Sequence, residues 1–172
     1  FLNENKISNV YPNLKNFFSG NDKNVAFAVI ANKHNEHASY ILECIDKKKH
    51  VFIEKPIAIN SYDLEIIEDK INSSDNLPIL HVNFNRRFSE HGIKLRQILL
   101  NMNSQCYLNY NIFSNKINDD HWQNDPKIGG GRNLGETIHM YDFCKFIISE
   151  KIFSINAVSF NNNSNSINEN KQ

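Results

Sequence analysis

The sequence predicts an α/β protein: an open parallel sheet flanked by helices, then an α+β part with an open, mainly antiparallel sheet. Three observations carry this. Residues 25–31 form a continuous apolar run bounded by polar residues, the pattern of a central parallel strand covered on both faces. Strand-like and helix-like patterns then alternate as far as Phe84, the order that builds βαβ units. Beyond that point the period drops to two. Cys106, Leu108, Tyr110 and Ile112 alternate with Tyr107, Asn109, Asn111 and Phe113, and residues 153–160 behave alike. A sheet with one wetter face is read in this way. The change sets a boundary near residue 85, with 1–84 and 85–172 as parts of two domains. Two strands do not make a stable sheet, so the second sheet is expected to be incomplete.

Each element has its own signal. The polar opening holds one aromatic pair, Phe17–Phe18, suggesting a short helix before a turn at 20–23. After the first strand, Asn35 can cap a helix whose apolar positions Ala38, Ile41, Leu42 and Ile45 recur at helical spacing. Lys47, Lys48 and Lys49 close it at its negative end. A second strand at 50–53 completes a βαβ unit with a right-handed crossover. The next helix is capped by Asn60 or Ser61 and buries Leu64, Ile67 and Ile71; a third strand follows at 78–84 and a helix at 93–102. Residues 129–142 read GGGRNLGETIHMYD. The glycines allow positive φ and close approach to a ligand. The helix after them carries Glu136, His139 and Asp142 at i, i+3 and i+6, roughly one face, and is apolar nearly all round, which predicts a buried helix.

Composition narrows the function. Lys+Arg and Asp+Glu are both 19, so no net charge draws the chain to nucleic acid or to a membrane. The asparagine-rich stretch 161–170 reads as a solvated tail. Cys44, Cys106 and Cys144 are odd in number and far apart, which suits neither a disulfide framework nor a zinc site. No apolar run approaches the length of a membrane span, and a soluble, cytoplasmic protein is expected.

Chemistry gathers at the strand ends, where ligands of open α/β sheets bind. They carry Asn32-Lys33-His34, Glu54-Lys55-Pro56 and Asn85-Arg86-Arg87. A partly desolvated Lys55 would have a lowered pKa and could polarise a hydroxyl, or it could pair with Glu54. The Lys55–Pro56 bond is a candidate for the cis form. Arg86 and Arg87 could hold an anionic group, with surface pairing favoured for at least one. His34 and His37 read as capping or packing residues. Trp122 could stack on a flat ligand or simply pack. His139 could be a core histidine bonded to Glu136 or a backbone carbonyl, or could face a small polar ligand. Glu136-x-x-His139 has the spacing of a carboxylate-bridged metal site but lacks the other ligands such a site needs, so no metal is assigned.

Taken in order, these pieces resemble the glucose–fructose oxidoreductase / inositol dehydrogenase (Gfo/Idh/MocA) family. The pieces are VIANKHNEH, HVFIEKP, NFNRRFS, DHW and GGGRNLGETIHMYD, spread over residues 25–160. The DHW and GGGR pieces look most like a subgroup tied to surface-sugar biosynthesis. The resemblance implies a Rossmann domain for NAD or NADP at 1–84, and a substrate domain at 85–172 whose sheet mediates homo-oligomers. It also implies hydride transfer between nicotinamide and a sugar, nucleotide-sugar or cyclitol hydroxyl. By the same carry-over Lys55 would bind the reacting hydroxyl and His139 would be the general base. Asn32, Lys33, His37, Glu54, Pro56 and Trp122 would line the cofactor side, and Arg86, Arg87 and Arg132 would meet substrate. Two departures stand out. Where many relatives carry an aspartate four residues before the histidine, this chain has Gly135; Glu136 would point about 100° away on an α-helix. The Gly-x-Gly-x-x-Gly turn that seats a pyrophosphate on a helix N-terminus is also absent from these residues. An internal fragment, inactive alone, is therefore expected. The alternatives are a non-catalytic truncated relative or a nucleotide-sugar-binding or association module.

Overall fold

The computed structural model describes residues 9–20, 24–102, 105–115 and 117–158. Its centre is a three-stranded parallel sheet in the order β1 (Phe27–Ile30), β2 (His50–Glu54) and β3 (Leu80–Asn83). The register pairs Ile30 with Ile53 and Ile53 with Val82, so the three strands end together and their following loops share one edge. Helix α2 (His37–Asp46) connects β1 to β2, and α3 (Ser61–Asn72) connects β2 to β3. A short α1 (Leu14–Phe18) opens with Asn13 accepting from the Asn16 N–H and sends Phe18 into the core.

The core forms where the two periods meet. Ile30, Val51 and Ile53 face Ala38, Ile41, Cys44 and Ile45 of α2, with Ile67 of α3 and Phe18 closing the cluster. Ile41 and Ile53 have no exposed surface. Burial also raises the Cys44 thiol to a pKa of about 11, which makes it a small core residue rather than a reactive one. Asn60 caps α3 by accepting from the Asp63 N–H at 2.8 Å. The other predicted cap is different. A 3-10 turn over His34–Glu36 precedes α2, so Glu36 rather than Asn35 occupies the cap position, with no side-chain bond.

Among the described residues, α-helices cover one face of the sheet only. Phe27 and Val29 of β1 are 57% and 63% exposed, so the fully buried central strand read from residues 25–31 is corrected to a strand with one open face. The reason is geometric: successive strand side chains point to opposite faces, and α2 and α3 pack side by side on the same one. Leu64 of α3 is likewise exposed, leaving Ile67 as that helix's fully buried anchor.

After β3 a 3-10 turn (Asn85–Phe88) leads into α4 (Glu90–Asn101), which packs against α5 (Ile138–Ile148). Gly92 makes this contact possible, since a Cβ there would lie 2.7 Å from the Phe143 ring. Helix α5 is not buried all round: Tyr141 and Ile148 stay exposed, while His139, Met140 and Ile147 are covered. The expected antiparallel strands do not form among the described residues. Residues 105–115 and 151–158 have no regular structure, and Tyr107, Phe113 and Phe153 are almost wholly exposed. The described part of each stretch has no paired neighbour, and an alternating pattern becomes a strand only where a neighbour supplies its hydrogen bonds. The expected second strand also runs on into 159–160, which lie outside the described residues. No described helix is long and apolar enough to cross a membrane.

Ile53 sits where all layers meet, so Ile53→Ala should destabilise the fold by about 2–5 kcal/mol. The expected reading is a lower urea midpoint with an unchanged slope, measured by circular dichroism.

Candidate active site

The shared edge of the sheet brings residues from four segments together. At the end of β1, the Asn32 amide donates to Glu36 Oε2 at 2.9 Å, while Asn32 Oδ1 is buried without a partner. At the end of β2, Glu54 accepts from Asn83 Nδ2 of β3 at 2.8 Å. Lys55 follows, with a cis bond to Pro56. Its ammonium donates to the carbonyl of Gly135, 80 residues away. At the end of β3, Arg86 donates to Glu136 Oε1 at 2.8 Å and to the Tyr110 hydroxyl at 3.1 Å, and touches Met140 Sδ at 2.9 Å.

The fourth segment supplies His139. Gly130 and Gly131 take φ of 74° and 79°, a conformation glycine adopts at little cost, and the chain then enters a π-helical turn over Asn133–Thr137 before α5 begins. This wider turn replaces the α-helical start the sequence suggested. It also changes the expectation for Glu136. A rotation of about 100° per residue holds for an α-helix, not for a turn closed by i→i+5 bonds. With Arg86 gripping it, the Glu136 carboxylate bears electrostatically on both Lys55 and His139.

His139 is 7% exposed, and its Nδ1 is buried without a partner. Burial lowers its pKa, and Lys55 and Arg86 lower it further against the opposing charges of Glu136 and Glu54. Burial also lowers the Lys55 pKa, opposed by Glu136 and Glu54 and assisted by Arg86. The site therefore holds a neutral imidazole beside a desolvated ammonium. That combination can accept a proton and stabilise a nearby oxyanion.

Other expected site residues fall elsewhere or act differently. His37 is fully buried, with Nδ1 2.6 Å from the Pro56 carbonyl and Nε2 3.2 Å from the Asn32 carbonyl, so it ties the β1 and β2 loops together. Pro56 is fully buried beside it, and Lys33 is exposed. Arg87 lies on the α5 side, bidentate to Asp142 between the rings of Phe84 and Phe146. Arg132 bonds Ser114 at 3.2 Å on the exposed surface. Trp122 stands edge-on to His34 with centroids 4.8 Å apart. Sequence reasoning gave no site role to Glu136 or His34. His34 donates through Nδ1 to the Gly129 carbonyl at 2.8 Å, 95 residues away, a contact that no local spacing could announce.

Residues 1–84 match the Gfo/Idh/MocA model, described as an oxidoreductase family with an NAD-binding Rossmann fold. The myo-inositol 2-dehydrogenase of Thermotoga maritima is 28% identical over 148 residues, covering 79% of this chain and 40% of that one. An NAD-binding protein from Listeria innocua superposes with a TM-score of 0.65 at 23% identity, over 84% of this chain and 42% of that one. Levoglucosan dehydrogenase, in complex with NADH and levoglucosan, superposes with a TM-score of 0.65 at 16% identity, over 87% and 41%. The two structural likenesses speak for the fold alone. The chain spans about two fifths of the length of these relatives.

Two pH measurements follow. NMR titration of the His139 ring should give a midpoint below 6.5. Glu136→Gln should lower it further, because the lost carboxylate favours the imidazolium, and Lys55→Met should raise it. For stability, the native pKa values of His34 and His139 both lie below the ordinary 6.5. Below that pH the unfolded chain binds more protons than the native one. This contribution is complete above pH 6.5 and is lost as pH falls below it, so the thermal midpoint should drop between pH 7 and 5.5.

Proposed function

We propose, from the match of residues 1–84 to the Gfo/Idh/MocA oxidoreductase family, that this chain serves NAD(P)-dependent hydride transfer at a sugar, nucleotide-sugar or cyclitol hydroxyl. Residues 1–84 form part of the dinucleotide-binding domain and residues 85–172 part of the substrate domain, through which full-length copies associate. A cytoplasmic setting goes with this reading.

The observation that carries the proposal is the Lys55–Gly135 bond, which sets a half-buried ammonium on the turn that leads to His139. The residues present also fit a nicotinamide. Asn32 Oδ1 and His139 Nδ1 are buried polar atoms without protein partners, and such atoms ordinarily find a partner. Asn32, Glu54 and Lys55, at the strand ends, would hold the cofactor's reactive end. When bound, nicotinamide supplies the hydride acceptor or donor.

The chain's own groups do the rest. Lys55 has three N–H donors, and only one is given to Gly135. Another can meet the substrate oxygen and offset the negative charge that grows there. His139, kept neutral by burial and by Lys55 and Arg86, takes the hydroxyl proton on a ring nitrogen. Glu136 then faces the imidazolium and favours it, while Arg86 keeps that carboxylate in place. His37 and Pro56 support the cofactor side from the core and Trp122 borders it, while Arg86 lies on the substrate side; Lys33, Arg87 and Arg132 could reach a ligand only from outside this cluster.

The test is His139→Asn in the full-length protein, assayed with NAD and NADP against cyclitols and hexoses. Removing a general base should cost about 10²–10⁴-fold in kcat, while cofactor affinity by titration stays within about threefold, under 1 kcal/mol. Undiminished turnover would place the base elsewhere.

A further inference from the structure

His34 is a buried titratable group that this mechanism does not use. It is 5% exposed, and its ring lies 5.5 Å from that of His37, a second ionisable group, besides three further contacts. Its Nδ1 meets the Gly129 carbonyl at 2.8 Å; a carbonyl only accepts, so Nδ1 carries the proton and the tautomer is fixed. Its ring stands edge-on to Trp122 at 4.8 Å. Its Cε1 lies 3.8 Å from where a Cβ on Gly135 would be, which sets the ring directly against that residue. The neighbouring Asn35 N–H adds a second bond across the same gap, to the Ile128 carbonyl at 3.0 Å.

The acceptor side is rigid. A Cβ on Gly129 would fall 2.3 Å from Gln123 Cα, so the backbone is packed against backbone there. The Gly129 and Gly130 N–H groups both bond the Asp125 carbonyl, at 2.8 and 3.2 Å. His34 thus wedges between the start of the glycine turn and Gly135, whose carbonyl receives Lys55.

We propose that His34 is a positioning residue: through its bond to Gly129 and its contact with Gly135 it sets where the π turn holds Lys55, and so the spacing of Lys55 and His139. The inference rests on the function proposed above. It assigns the Nδ1–H donor, not the bulk of the ring, as the effective part.

Two substitutions separate those parts. His34→Phe keeps a planar ring against Trp122 and Gly135 but deletes the donor. His34→Asn deletes the ring but keeps an N–H in place of Nδ1. Positioning predicts that Asn is the milder change. His34→Phe should lose about 10²-fold in kcat, the scale of a small misplacement of reacting groups, with KM little changed, and His34→Asn should stay within about fivefold, roughly 1 kcal/mol. A packing role predicts the reverse order. Independently of turnover, the His139 ring titration should move in His34→Phe and not in His34→Asn. Trp122 is the sole tryptophan, so its emission should follow His34 protonation below pH 6.5 and should do so in His121→Asn as well. The inference is overturned if His34→Phe keeps full kcat and an unmoved His139 titration while His139→Asn is inactive. An active His139→Asn sinks the proposed function instead.

Discussion

An ammonium half out of water, held by a main-chain carbonyl, is the constraint the site is built around. Lys55 follows directly on β2, so the sheet fixes its backbone. Its side chain reaches the Gly135 carbonyl in a separate part of the chain. A desolvated cation needs hydrogen bonds and opposite charge nearby, and Glu136 and Glu54 supply the charge. The same desolvation keeps His139 neutral. Sheet, glycine turn and helix therefore meet through one buried charge and its partners.

The supporting contacts mostly set side-chain nitrogens against backbone carbonyls. His37 reaches the carbonyls of Pro56 and Asn32, His34 that of Gly129, and Lys55 that of Gly135. A carbonyl fixed in a turn does not change rotamer, so such bonds hold a geometry more firmly than pairs of long side chains would. The exposed pairs behave differently: Lys70 with Asp46 on the surface of α2 and α3 contributes little beyond solubility.

Much of the fold could be read from periodicity. The positions Ala38, Ile41 and Ile45 announced α2, and the alternation of strand and helix announced the parallel sheet. Local patterns stop where partners matter. Phe27 and Val29 look like core residues, yet helices cover only one face of the described sheet. The alternation at 106–113 looks like a strand, yet nothing among the described residues pairs with it. In the site, Lys55 and Arg86 are visible as polar residues after apolar runs, and His139 as a histidine on an apolar helix that follows the glycines. His34 is not, because its role depends on a bond spanning 95 residues. Glu136 cannot be placed from the sequence, because a π turn cannot be told from an α turn by composition alone.

That π turn makes chain length a property of the site. Five residues, Asn133–Thr137, stand in the widened turn between the glycines and α5. Changing one side chain there leaves the turn's count intact. Dropping or adding one residue would instead rotate everything beyond it about the helix axis. His139 would then leave the ammonium's side of the helix with every residue of the site still present.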